Sequence, residues 1–172
     1  MTQEELGIIL GASKQTISNW ETGYTPIPLN KLVRFANLYD YSLDFLVGFT
    51  RKNIKYNKSI KLDKKLIGKN LKLLREKLNL TQQELSDKCD LYQSTYNHYE
   101  NGYSLIKIMP AYSICKTYNV SMDWLVGRTN NKKIVWIINL NHTIFIMSDD
   151  GMTANFEWVS PIFSCHCCHY FL

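Results

Sequence analysis

The chain states one pattern twice. A shift of 79 positions lays Thr2-Gln3-Glu4-Glu5-Leu6 on Thr81-Gln82-Gln83-Glu84-Leu85. The same shift lays Trp20-Glu21-Thr22-Gly23-Tyr24 on Tyr99-Glu100-Asn101-Gly102-Tyr103, and Ser42-Leu43-Asp44-Phe45-Leu46-Val47-Gly48 on Ser121-Met122-Asp123-Trp124-Leu125-Val126-Gly127. No gap is needed between residues 2 and 50. Internal repetition constrains architecture before any local signal does, and two copies are too few for a solenoid. Each copy is therefore expected to be a small domain, which a length of 172 residues accommodates.

Each repeat opens on a capping box, Thr2-x-x-Glu5 and Thr81-x-x-Glu84, which satisfies orphan N–H groups of a first helical turn. Leu6 with Leu10, and Leu85 with Cys89, then share a helix face. Gly11 and Asp90 end that helix, since both tolerate a left-handed backbone better than most residues. A second helix follows at once, with Ile17 and Trp20, or Tyr96 and Tyr99, turned inward, and it stops at Gly23 or Gly102. A third covers about residues 30–39 and buries Leu32, Val33, Phe35 and Ala36; a short fourth starts at Ser42 or Ser121. The second repeat has one helix more. Ile67, Leu71, Leu74 and Leu78 mark an amphipathic helix over about 63–78, for which the first repeat has no counterpart after Met1.

The outer face of the second helix is the informative surface. In the first repeat it carries Ser13, Lys14, Gln15, Ser18 and Asn19; in the second, Tyr92, Gln93, Ser94, Asn97 and His98. Gln and Asn make paired hydrogen bonds to adenine edges in the major groove, and Lys reaches guanine O6 and N7. Gln3 and Gln82 open the preceding helices, where backbone N–H groups attract phosphate. A polar face on a short helix is ordinarily just solvated, but the tight turn and the repetition favour DNA contact here. Lys31 and Arg34 can reach phosphate or remain loose surface charge.

These motifs resemble the Cro and lambda-repressor type of helix-turn-helix domain, the xenobiotic-response-element-like family, over about residues 1–50 and 63–129. The resemblance implies an all-α protein with two tandem helix-turn-helix domains, at 1–50 (without its N-terminal helix) and 63–129, a linker at 51–62 and a tail at 130–172. It implies a sequence-specific regulator of transcription, a repressor, on double-stranded DNA, with the second helix of each copy in the major groove. It also implies that Arg75 pairs with Glu100, leaving Glu21 without an arginine. Two expectations follow for the first copy: that Leu6, Leu10, Ile17 and Trp20 lack a cover, and that the missing helix lies upstream of Met1. The linker of about twelve residues, taken as a flexible coil, has a root-mean-square span of roughly 19 Å and can tether two domains on adjacent major grooves.

A net charge of +5 suits an anionic partner without specifying one. A protein-interaction module, pairing with a second copy, another repressor or an antirepressor, is the main alternative. The run Cys165-His166-Cys167-Cys168-His169 tempts a metal- or thiol-sensor reading, but its ligands are too nearly contiguous to close a tetrahedron alone, and no metal or other cofactor is expected. Cys89 and Cys115 occupy core positions and should be reduced. Apolar runs at 134–138 and 143–147 suggest a β-hairpin, with a disordered tail as the alternative, and are too short to span a membrane. Nothing after Met1 reads as a signal peptide, so a cytoplasmic protein is expected. No nucleophile–base pair, phosphate loop or paired carboxylate suggests an enzyme.

Overall fold

The computed structural model describes residues 1–132; the hairpin and the Cys/His run expected from the sequence lie outside the described residues. Those residues form nine helices and no strand ladder. The first half holds α1 (Gln3–Leu10), α2 (Lys14–Glu21), α3 (Leu29–Tyr39) and α4 (Leu43–Leu46). The second holds α5 (Lys64–Lys77), α6 (Gln82–Lys88), α7 (Gln93–Glu100), α8 (Ile108–Thr117) and α9 (Met122–Leu125).

Local chemistry sets the helix ends. Both capping boxes form: Thr2 accepts from the Glu5 N–H, Thr81 from the Glu84 N–H, and each glutamate bonds back to the threonine N–H. Ser13, Ser42 and Ser121 cap α2, α4 and α9 through their hydroxyls. Gly11, at φ 64°, makes the α1–α2 turn, and Asp90 holds the same left-handed conformation at φ 54°. Gly7 lets the turn close, because a Cβ there would lie 2.6 Å from the Ala12 carbonyl oxygen.

The expectation that Leu6, Leu10 and Ile17 lack a cover is corrected by the structure. They are 2%, 0% and 1% exposed, in a cluster with Phe35 against which Tyr41, Ile27, Trp20 and Leu46 pack. Trp20 alone stays half-buried. The contrast with the second half is confined to the surface that α5 covers there. Tyr99, Glu100 and Gly102 are buried under α5, whereas Trp20 and Glu21 are half-buried and Gly23 is exposed. Helix α5 comes close: a Cβ on Gly68 would strike the backbone carbonyls of Tyr99 and Glu100.

The larger hydrophobic cluster belongs to both halves. Leu32, Val33, Ala36 and Leu43 from α3 and α4 pack in one core with Ala111, Ile114, Cys115 and Met122 from α8 and α9. Both Cys89 and Cys115 are free thiols in that core, as expected, and burial pushes the Cys115 thiol well up.

Residues 51–62 carry no helix, yet they are fastened rather than slack. Asn53 accepts from the Ser42 N–H at 2.8 Å and donates to the Asp40 carbonyl at 3.0 Å. Asn37 donates to the Ile60 carbonyl and accepts from its N–H. Arg128, with a side chain 1% exposed, donates to the carbonyls of Lys58 and Tyr41 and to Asn37 Oδ1. Ile60 and Leu62 pack on the shared core. The flexible coil of the sequence reading is thus a strap with specific bonds on both sides. Its side-chain partners come from opposite halves, Asn37 and Asp40 from the first and Arg128 from the second.

Candidate nucleic-acid interface

The outer faces of α2 and α7 are presented as expected, but most of their polar ends already have partners. In the second half, Gln82 at the start of α6 is a hub. Its Oε1 accepts from Gln93 Nε2 at 3.1 Å and from Asn97 Nδ2 at 3.0 Å, while its Nε2 donates to Glu100 Oε1 at 3.0 Å. Glu100 in turn receives Arg75 in a two-point contact, Nε to Oε2 at 2.8 Å and Nη2 to Oε1 at 2.9 Å. The two side chains are 17% and 5% exposed. Burial alone would raise the Glu100 carboxyl, but hydrogen bonds from Arg75, Gln82 and Tyr96, with the charge of Arg75, outweigh it and hold the group low. The hydrogen bond to Glu100 correspondingly raises Arg75. A continuous line of bonds therefore runs from a partly buried ion pair to two amides on the outer face of α7.

The first half shows the same start and a different finish. Gln3 donates to Glu21 at 2.6 Å, as Gln82 does to Glu100, but no ion pair to Glu21 is present among the described residues. Lys14 pairs with Glu4 at 3.1 Å, and Gln15 donates to Asn19 Oδ1 at 3.0 Å. With side chains 62% and 68% exposed, the Lys14–Glu4 pair holds its partners only weakly and leaves the ammonium group available.

Of the remaining positions, Ser13 uses its hydroxyl to cap α2, bonding the Thr16 N–H and Thr16 Oγ1. Ser18 lies half-buried behind Lys14 and Gln15. Tyr92 is 85% exposed at the N-cap of α7 and makes no capping bond. Ser94 is exposed, and the His98 ring stands edge-on to Tyr103 at 5.9 Å. Lys31 does not project freely: its Nζ donates to the carbonyls of Leu10 and Gly11, at the C-terminus of α1. The sequence reading missed the bridging role of Gln3 and Gln82. The available signal was the glutamine after each capping threonine, recurring in register with the glutamate that ends the next helix.

A helix, a left-handed turn and a second helix with an exposed amide-bearing face define a helix-turn-helix element, here present in both halves. A family model described as helix-turn-helix matches residues 1–46 and 71–125. The chain belongs to that family, in its Cro and lambda-repressor type. Among curated proteins it is similar to the uncharacterized HTH-type transcriptional regulator YobD of Bacillus subtilis (strain 168), with 36% identity over 63 residues, 32% of this chain and 56% of YobD. It is similar to the antitoxin PezA of Streptococcus pneumoniae serotype 4, with 33% identity over 86 residues, 50% of this chain and 54% of PezA. It is also similar to the HTH-type transcriptional regulator ImmR of Bacillus subtilis (strain 168), with 32% identity over 78 residues, 45% of this chain and 61% of ImmR. The matched stretches thus span between 54% and 61% of these relatives' own lengths. No solved structure matches the chain at the same stringency. No helix among the described residues is long and apolar enough to cross a membrane.

Proposed function

We propose that the chain is a sequence-specific, double-stranded-DNA-binding regulator of transcription, acting as a repressor in the cytoplasm, with one DNA-reading unit in each half. The units are residues 1–50, which has no counterpart of α5, and residues 63–129, both of the xenobiotic-response-element-like kind. The observation that carries this reading is the amide cluster of Gln82, Gln93 and Asn97, exposed at one end and rooted in the Arg75–Glu100 pair at the other. In the major groove, Gln93 and Asn97 exchange Gln82 for base edges, with Tyr92, Ser94 and His98 beside them. Lys14, Gln15, Ser18 and Asn19 take the same part in the first half, while Ser13 caps and Gln3 braces. The similarity to proteins named transcriptional regulators supports the class.

The test is a selection of bound sequences from random duplexes, followed by titration of Gln93→Ala and Asn97→Ala. Each should cost about 1–3 kcal/mol on the selected site, with affinity falling steeply as salt rises. Unchanged affinity and sequence preference in both variants would refute the assignment. The similarity to a protein named an antitoxin favours a protein partner as the second reading. That reading predicts no selected sequence at all.

A further inference from the structure

The two halves are not merely adjacent; they meet through each other's equivalent atoms. The carboxylate of Asp44 accepts from the N–H of Met122 at 2.6 Å and from the N–H of Asp123, at the start of α9. The carboxylate of Asp123 accepts from the N–H of Asp44, at the start of α4, at 3.0 Å, and its other oxygen makes no hydrogen bond among the described residues and lies 3.7 Å from Arg128 Nη1. The repeat register equates Asp44 with Asp123 and Leu43 with Met122. Each half therefore caps the other's last helix with the same aspartate, Asp44 on the start of α9 and Asp123 on the start of α4. A contact in which i meets j and j meets i is the signature of a two-fold axis. The shared core repeats the relation, since Leu32 and Ala36 lie in one cluster with their own register mates Ala111 and Cys115. Local departures lie around this axis. Ser121 adds a bond to Asp44 at 2.6 Å, and Arg128 approaches Asp123 where the first half has Phe49.

We propose that one chain is the covalent equivalent of a two-fold dimer, and that it reads two non-identical half-sites of one duplex in inverted orientation, at one fixed spacing. This rests on the DNA-binding reading above. Duplex DNA has dyads of its own, so two units related by a two-fold axis engage half-sites pointing in opposite directions along it. Because α2 and α7 carry different outward residues, the half-sites differ in sequence while keeping that orientation. The spacing is set by the α4–α9 contact and not by the reach of residues 51–62. A flexible tether would tolerate direct and inverted arrangements alike.

The experiment uses the full chain. The half-sites are first identified by selection, then assigned by Lys14→Ala with Gln15→Ala for one and by Gln93→Ala with Asn97→Ala for the other. Duplexes then carry the two half-sites inverted or direct, with centre-to-centre spacings varied around one helical turn, about 10 base pairs. One inverted spacing should bind one chain per duplex, tighter than either half-site alone by about 10²–10⁴-fold. A Gly-Ser insertion after Lys55 lengthens the strap without touching α4 or α9, and it should leave the preferred spacing unchanged. Equal binding to direct repeats, a preferred spacing that moves with the insertion, two chains per inverted duplex, or recovery of a single half-site would each overturn the inference while leaving DNA binding intact. Failure to select any sequence would overturn both.

Discussion

Replacing Arg75 by methionine tests whether the buried pair anchors the reading face. Arg75 Nε and Nη2 bond the two Glu100 oxygens at 2.8 and 2.9 Å, and Nη1 reaches the Leu80 carbonyl at 3.1 Å. Methionine keeps much of the packing volume but strands Glu100, whose side chain is 5% exposed. Removing one partner of a buried ion pair costs about 3–5 kcal/mol, because the other charge remains desolvated. That is a large part of the 5–15 kcal/mol typical of a whole domain. Most of the loss should return in Arg75→Met with Glu100→Gln, since the neutral amide no longer needs a cation and still has Gln82 and Tyr96 nearby. Urea unfolding of wild type, both single variants and the double variant gives the coupling energy by a thermodynamic cycle. Glu21→Gln is the internal control: with no cation bonded to Glu21 among the described residues, it should change stability by no more than about 0.5 kcal/mol. A loss below about 1 kcal/mol in Arg75→Met, or a double variant no better than the single, would refute the reasoning.

Other outcomes follow from particular contacts. Burial, and then the charge of Asp44, raise the Asp123 carboxyl to about 7, and burial raises Asp44 as well. These two carboxyls therefore hold more protons in the folded protein than in the unfolded chain between about pH 4 and 7. Against the opposite slope of the lowered Glu100 and Glu84 at the acid end of that window, their contribution to stability should fall as pH rises through it. Denaturant midpoints in a pH series should show this slope, and Asp123→Asn should flatten it; an unchanged slope in the variant would remove Asp123 as its source. Lys31→Met should lower stability by about 0.3–1 kcal/mol through loss of the bonds to the Leu10 and Gly11 carbonyls. Thermal melts check it, and a loss of DNA affinity at unchanged stability would place Lys31 on phosphate instead. Gly68→Ala should cost about 1–3 kcal/mol by driving a methyl onto the Tyr99 and Glu100 carbonyls; a variant as stable as wild type would show that α5 can retreat.

What the sequence reveals here is what local chemistry decides. The capping threonines, the left-handed Gly11 and Asp90, and the buried spacing of Ile67, Leu71 and Leu74 appear where their patterns place them, while Leu78, the fourth residue of that spacing, caps the end of α5 and is exposed. The outward faces of α2 and α7 were legible for the same reason, since a helix with one apolar face has its polar residues outside. Partners far away in sequence were not. Arg75 with Glu100 came only through resemblance, and Asp44 and Asp123 entered only as matched positions of the repeat. Nothing local to Asp44 or Asp123 says that each serves a helix 79 residues away. Arg128 carried no signal in its own neighbourhood, yet it bonds the carbonyls of Lys58 in the strap and Tyr41 before α4. The expectation of an uncovered first half came from the resemblance, and it failed for Leu6, Leu10 and Ile17 because Phe35 of α3 buries them, with Ile27, Tyr41 and Leu46 packed alongside.

The exchange of caps between α4 and α9 also imposes an order on synthesis. The amide of Asp44 awaits a carboxylate encoded 79 residues later. At translation rates of about 5–20 residues per second, that interval is about 4–16 s. During it the apolar side of α3 and α4, with Leu32, Val33 and Leu43, lacks the α8 and α9 surface it packs against in the finished protein. The first half is thus most open to aggregation and proteolysis while its partner is still being made. Any slowing of translation between the repeats lengthens that exposure without changing a single residue.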